Sequence, residues 1–171
     1  PPLPVFLSPI KIGTDICSTN RIYKILRGPN ATRFVARVLT EKEISEAKEK
    51  REWFDSVLRQ IEGGKEEDEK ALKRLSEFLA GRWAAKEAAV KAHPWLRLGL
   101  RDVEVVGGGD GEGGDGGGVD RGNGSEAPMV LVRNGEGGKG EEEKQQLGLV
   151  SISHDGGFAV GVCVGWEMSK V

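Results

Sequence analysis

The order of apolar and polar positions predicts one strand followed by several helices in the first half of the chain. Residues 9–16, "PIKIGTDI", alternate as a strand that runs into a turn or a helix start. A short amphipathic helix is predicted within 18–27 and two helical segments across 31–61, the second opened by the capping-box pair Thr40 and Glu43.

A long helix and a group of strands are predicted to follow. The helix runs from about residue 71 to His93 and is stopped by Pro94. Strand-like alternation occupies 101–106 and 127–134, and two apolar strands in 147–166 flank the hairpin signal "HDGG". This order predicts an α+β fold, in which a long buried helix and shorter helices pack on a mostly antiparallel sheet.

Composition suggests that the chain is one domain, 1–171, with three polar insertions. The 26 glycines and the 30% of charged residues are high for a globular chain, but their excess is local. It is concentrated in 62–70, 107–126 and 135–146, which have almost nothing to bury and are predicted to be disordered surface loops.

Charge and cysteine content exclude several classes of protein. A net charge of −2 argues against a general nucleic-acid binder, and no apolar run is long enough to span a membrane. Only Cys17 and Cys163 are present, too few for a disulfide framework, which points to a reducing compartment.

The long helix carries an unusual group of charges, Arg82, Lys86, Glu87 and Lys91. Its large apolar residues fall within an arc of about 140°. Small residues fill the rest of the circumference, so we expect the helix to be buried on several sides. Arg82 and Lys86 then lie within the apolar arc, while Glu87 and Lys91 flank it. A buried charge needs a partner, a metal or a ligand.

Structural readings remain open for each of these groups. Glu87 and Lys91 could be an ordinary exposed i,i+4 pair. Asp15 could cap a turn, and His154 could be a hydrogen-bonding turn residue. The adjacent Ser153, His154 and Asp155 do not form a nucleophilic triad, whose members converge from separate positions.

Taken together, four segments resemble the holo-acyl carrier protein synthase type of 4′-phosphopantetheinyl transferase. They are "IGTDI", "RFVARVLTEKE", "FLAGRWAAKEAAVKA" and "VSISHDGGFAVGV", in the family's order. The resemblance implies the fold of that family. It also implies Mg²⁺-dependent transfer of phosphopantetheine from coenzyme A to a serine of an apo acyl carrier protein.

The resemblance also implies roles for individual residues. Asp15 and Glu87 would be the Mg²⁺ ligands, and Lys91 would contact the pyrophosphate as a third catalytic residue. Candidates for binding coenzyme A are Arg82, Lys86, Lys91, Ser153 and His154. Candidates for docking the acidic carrier protein are Arg21, Arg33, Phe34 and Arg37.

Members of this short type are usually homotrimers with active sites between subunits, which implies the same assembly here. The carrier would be a fatty-acid carrier of the cytosol or the mitochondrion. Alternatives are a transferase domain from a giant fatty acid synthase and a non-catalytic carrier-binding module, although the latter should lack the acid pair. A Ca²⁺-binding repeat built on Asp110, Asp115 and Asp120 lacks the regular apolar anchors that such repeats need.

Overall fold

The computed structural model describes residues 9–63, 68–107, 127–134 and 144–167 of the chain. Its elements confirm the predicted order of a strand, a group of helices and a group of strands. They are β1 (Ile10–Ser18), α1 (Thr19–Leu26), α2 (Ala31–Val38), α3 (Glu41–Lys50), α4 (Glu52–Gly63), α5 (Glu69–Ala92), a 3₁₀ turn (Leu100–Asp102), β2 (Val103–Val106), β3 (Met129–Asn134), β4 (Lys144–Asp155) and β5 (Phe158–Trp166). The α+β class is therefore confirmed.

The five strands form one antiparallel sheet in the order β1-β5-β4-β3-β2. β1 pairs with β5 from Ile10↔Trp166 to Ser18↔Phe158, so the first strand lies beside the last. The predicted β4–β5 hairpin turns through Gly156 and Gly157, whose φ angles of 54° and 82° are left-handed values that favour glycine.

Helix α5 crosses the sheet at backbone contact distance. A Cβ atom on Gly13 of β1 would overlap the carbonyl oxygen of Ala88, and one on Gly161 of β5 would overlap that of Ala84. Glycine on the strands and alanine on the helix are what allow this approach. We call this contact the helix–sheet seam. It confirms that α5 is buried on several sides.

The shorter helices pack around the first half of α5. Ile22 of α1, Val35 of α2 and Phe54 of α4 are buried together with Leu75 and Leu79 of α5. These aliphatic and aromatic contacts hold the helical layer to α5, and α5 in turn joins it to the sheet.

The segment 31–61 contains three helices, so the prediction of two was wrong. The capping box is present as expected, with Thr40 Oγ1 accepting from the Glu43 N–H and the Glu43 carboxylate accepting from the Thr40 N–H. The extra break lies at Arg51, whose backbone is extended between α3 and α4 (φ −138°, ψ 97°). There the Arg51 guanidinium lies over the ring of Phe78, 4.9 Å from its centroid.

The predicted insertions mostly fall outside the described residues. Where they are described, most of their residues belong to or cap regular elements, and Gly107 follows β2 with a φ of 71°. Residues 62–63 end α4, Asp68 caps α5 and 69–70 begin it, and 144–146 begin β4. Among the described helices, none is long and apolar enough to cross a membrane.

Candidate active site

Asp15 and Lys91 meet where β1 passes α5. The Lys91 ammonium donates to Asp15 Oδ1 at 2.8 Å and to the Thr14 carbonyl at 2.9 Å. The Asp15 side chain is 18% exposed and that of Lys91 is 52% exposed. The seam places these side chains, because Gly13, two residues before Asp15, lies against Ala88 of the same helix. Two of the predicted catalytic residues are thus in direct contact.

Glu87 lies one helical turn before Lys91 and is half-buried. It borders an open cavity of about 350 Å³ between α5, α2 and the segment that leads into β2. The other lining residues are Arg37, Val90, Leu98, Gly99, Leu100, Arg101 and Asp102. This cavity can admit a polar ligand beside the Glu87 carboxylate, with cationic side chains at its border.

Lys86 lies in the interior. Its ammonium is fully buried and forms an ion pair with Glu43 Oε2 at 2.5 Å. Burial lowers the pKa of Lys86, while the Glu43 carboxylate opposes that shift. The charge is already paired away from solvent, which does not favour the predicted contact of Lys86 with a coenzyme A phosphate, and that contact stays a prediction. In this structure Lys86 joins α5 to α3.

Arg82 binds the edge of the sheet. Its Nη1 donates to the Val105 carbonyl at 3.1 Å, and its guanidinium lies over the Phe78 ring, 5.0 Å from the centroid. The side chain is half-buried. The contact of Arg82 with β2 is observed, whereas its role in coenzyme A binding stays a prediction.

His154 lies against the middle of α5, and Ser153 precedes it on β4. His154 Nε2 lies 3.1 Å from the Glu77 carbonyl oxygen, and its ring is against Gly81. Gly81 and Lys91 are ten residues apart, which is about 15 Å along a helix. A single chain therefore does not bring Ser153 and His154 together with Asp15, Glu87 and Lys91.

Three of the four predicted docking residues pack on Trp83, which sequence reasoning had assigned only to the apolar arc. Phe34 stacks on Trp83 with ring centroids 5.7 Å apart and planes at 13°. The guanidinium groups of Arg21 and Arg37 lie 5.4 Å and 6.0 Å from the Trp83 centroid. Arg33 is exposed on the same helix as Phe34 and Arg37. We call these five residues the arginine–tryptophan surface.

Arg37 belongs to both this surface and the cavity beside Glu87. The arginine–tryptophan surface therefore borders the candidate active site directly.

Two further parts of the site were not predicted. Glu43 was recognised only as half of a capping box, and the cavity wall at 98–102 was not singled out. The spacing of Thr40 and Glu43 predicted the capping box. The ion pair of Glu43 with Lys86 joins residues 43 positions apart, so no local sequence pattern indicates it.

Comparison with known proteins connects this geometry to a family of enzymes. A family model described as the 4′-phosphopantetheinyl transferase superfamily matches residues 11–113. The mitochondrial 4′-phosphopantetheinyl transferase B of Aspergillus fumigatus is 33% identical over 91% of this chain and 92% of its own length. The holo-[acyl-carrier-protein] synthase of Bacillus cereus is 31% identical over 94% and 98%.

Solved structures of holo-acyl carrier protein synthases are similar to this chain as well. The holo-ACP-synthase of Plasmodium yoelii has a TM-score of 0.57 and 25% identity, covering 93% of this chain and 95% of its own. The holo-(acyl-carrier-protein) synthase of Bacillus anthracis, solved in complex with CoA (3′,5′-ADP), has a TM-score of 0.50 and 29% identity over 92% and 96%.

Proposed function

This chain belongs to the 4′-phosphopantetheinyl transferase superfamily, and we propose that it loads an acyl carrier protein. It transfers 4′-phosphopantetheine from coenzyme A to a serine hydroxyl of the apo carrier, giving the holo carrier and adenosine 3′,5′-bisphosphate. The observation that carries this proposal is the contact of Asp15 with Lys91, one turn from Glu87 and its cavity. The named relatives, matched over more than nine-tenths of their length, support it.

The proposed reaction gives each of these side chains a task. Attack of the serine oxygen on the pyrophosphate of coenzyme A builds negative charge on the phosphoryl oxygens and on the leaving phosphate. The Lys91 ammonium offers a positive charge to those oxygens. Glu87, beside the cavity, is placed to take the serine proton either directly or through a water molecule.

The two carboxylates also fit a divalent cation. Among the described residues no group of three or more ligating side chains lies together. Mg²⁺, however, keeps several waters and is bound through only one or two carboxylates. Asp15 already holds one cation, the Lys91 ammonium, and is 18% exposed. Asp15 and Glu87 would hold Mg²⁺, which when bound supplies positive charge for the phosphoryl group.

The arginine–tryptophan surface is the proposed docking site for the carrier protein. An acidic partner would be attracted by Arg21, Arg33 and Arg37, and Phe34 offers an apolar contact among them. Arg33 is the best residue to test, because Arg21 and Arg37 also pack on Trp83 and their replacement would disturb that packing. Replacing it by alanine should raise the KM for the carrier most at low ionic strength. An unchanged carrier KM at low salt would contradict this docking site.

A homotrimer is the proposed assembly, since one face of the sheet is apolar and uncovered in the single chain. β1, β4 and β5 expose large apolar side chains on the face away from α5: Ile10, Ile12, Ile16, Leu147, Leu149, Phe158, Val160, Val162 and Trp166. Such a continuous patch is typical of an interface. Assembly would also bring Ser153 and His154 of one subunit to the Asp15–Glu87 site of another.

The proposed compartment is the mitochondrion, on the strength of the Aspergillus fumigatus relative, whose name places it there; the cytoplasm is the alternative. Microscopy of the endogenous protein with a fluorescent tag decides between them.

The deciding experiment is incubation with coenzyme A, Mg²⁺ and apo acyl carrier protein, followed by mass spectrometry of the carrier. The carrier should gain about 340 Da, the mass of the phosphopantetheine group. Glu87→Ala should abolish the gain, whereas Glu77→Ala, an exposed glutamate of the same helix, should not. Absence of a gain with the wild type contradicts the function, and a full gain with Glu87→Ala contradicts the role of that residue.

A further inference from the structure

The Glu43 carboxylate is a buried junction between three elements. Only 4% of the surface of Glu43 is exposed to solvent. Oε2 accepts the Thr40 N–H at 2.8 Å and the Lys86 ammonium at 2.5 Å, and Oε1 accepts the Val105 N–H at 3.2 Å. One carboxylate thus binds the start of α3, the last third of α5 and strand β2.

The neighbouring side chains of α3 bind the same segment. Lys42 pairs with Glu104 at 2.7 Å, and Glu41 pairs with Arg101 at 3.6 Å. Three consecutive residues at the first turn of α3 therefore each contact the chain between 101 and 105, Glu43 from the interior and Glu41 and Lys42 from the surface. We call this set of contacts the α3 clasp.

The clasp occupies the outer edge of the sheet. β2 is the edge strand opposite β1, with β3 as its neighbour. Val105 gives its N–H to Glu43, and its carbonyl accepts from Arg82. Side chains thus satisfy main-chain groups that an edge strand otherwise leaves to solvent or to another chain.

Lys86 and Val105, the partners of Glu43 on α5 and β2, are each close in sequence to residues of the candidate active site. Lys86 immediately precedes Glu87 on α5. Val105 follows the segment 98–102, which forms the opposite wall of the cavity. Glu43 therefore links the two walls through side-chain contacts, beside the direct hydrogen bond from Arg82 of α5 to the Val105 carbonyl.

The geometry points to Glu43 as a positioning residue, which fixes Glu87 against the 98–102 wall through Lys86 and Val105. This inference rests on the proposed function, because it gives Glu43 a task in that reaction. Stability alone is a weak explanation for the pair, since apolar residues of similar volume often replace buried ion pairs without loss of stability. Such residues cannot reproduce hydrogen bonds to three separate elements.

The test separates position from stability. Wild type, Glu43→Gln, Lys86→Met and Glu43→Gln/Lys86→Met are compared, with Glu46→Gln as the control on the same helix. Melting temperatures are measured first, and all assays are run well below the lowest of them. Carrier loading gives kcat and KM, and binding of Mn²⁺ alone, followed by electron paramagnetic resonance, reports on the Asp15–Glu87 carboxylates without turnover.

The double variant is decisive because it removes both charges and leaves neither unpaired. Its melting temperature should rise above those of the single variants, with a remaining loss because the glutamine amide offers one acceptor oxygen to the Thr40 and Val105 N–H groups. Its kcat should stay about 10- to 100-fold lower, and its Mn²⁺ dissociation constant should rise by about tenfold or more. The KM for the carrier should not change, since Glu43 is not part of the arginine–tryptophan surface. Glu46→Gln should match the wild type throughout.

Recovery of both kcat and Mn²⁺ binding together with the melting temperature would overturn the inference, because the pair would then serve stability only. Failure of the double variant to fold would overturn it too, by showing that the fold itself requires the pair. A wild type that loads no carrier would instead contradict the proposed function.

Discussion

At the scale of single residues, Lys91 is the side chain that must leave part of its present hydrogen bonding to contact the substrate phosphate. It is held by Asp15 and by the Thr14 carbonyl, yet about half of it is exposed. Ion pairs with that much solvent contact stabilise a protein little. The ammonium is therefore available to a phosphate at small cost to the fold.

Lys91→Met should lower kcat/KM for coenzyme A by about 100-fold, because a charged donor to the reacting phosphates is lost. The free energy of unfolding should change by no more than about 0.5 kcal/mol. Loading kinetics and urea unfolding measure the two quantities. Lys73→Met, which removes an exposed partner of Glu69 on the same helix, should change neither. Undiminished loading by Lys91→Met would rule out its catalytic role.

The sequence could indicate Asp15, Glu87 and Lys91 because each lies in a segment with a recognisable local pattern. It placed Lys86 within the apolar arc and Lys91 beside it, but it could not show which carboxylate pairs with each lysine. What separates them is their partners, Asp15 and Glu43, which lie 76 and 43 residues away along the chain. Contacts over such separations leave no periodic signal near either lysine.

At the scale of elements, the helix–sheet seam decides how accurately α5 is placed. Its contact atoms are backbone atoms, so no side-chain rotamer can relax to make room for an added group. The seam joins β1, which carries Asp15, to the helix that carries Glu87 and Lys91. Packing at the seam therefore determines the geometry of the site.

Gly161→Ala should destabilise the protein by about 1–3 kcal/mol, because the new methyl group would overlap the Ala84 carbonyl. Urea unfolding measures the change. Gly28→Ala is the matched control: its Cβ would be 3.4 Å from the nearest atom, and we expect a change below about 1 kcal/mol. Equal effects of the two substitutions would be inconsistent with a backbone seam.

Most elements were predictable because their boundaries are marked by residues with local effects, such as the Thr40–Glu43 capping box and the Gly156–Gly157 turn. The break at Arg51 was missed for the opposite reason. Ala47, Phe54 and Leu58 are all buried and keep helical spacing across it, so the apolar pattern reads as one continuous helix. The break follows from packing around Phe78, which lies in another helix.

At the scale of the whole molecule, the exposed apolar face of the sheet suggests that a single chain can fold but needs further subunits to be active. Ile12 and Ile16 are 68% and 61% exposed on β1. Ser153 and His154 lie near the middle of α5, about 15 Å along the helix from Lys91. The proposed trimer would cover the first pair and complete the site with the second.

Ile12→Lys should give a folded monomer that has lost most of its loading activity. The side chain is exposed in the single chain, so its own fold tolerates lysine, but a charge would be buried in the interface. Light scattering gives the mass, circular dichroism the fold and carrier loading the activity. Ser45→Lys, at an exposed position of α3, serves as the control. A trimeric or fully active Ile12→Lys variant would contradict the assembly.

The pairing of β1 with β5 has a consequence for how the protein folds. Ile10 meets Trp166, so the first strand must wait for the last before its hydrogen bonds can form. Contacts of such high sequence separation slow folding, because the entropy of closing the loop is lost before the pairing stabilises the chain. During synthesis, Asp15 therefore reaches its final place only after the β4–β5 hairpin has left the ribosome. Until then β1, with its apolar side chains, has no strand to pair with and is prone to aggregation.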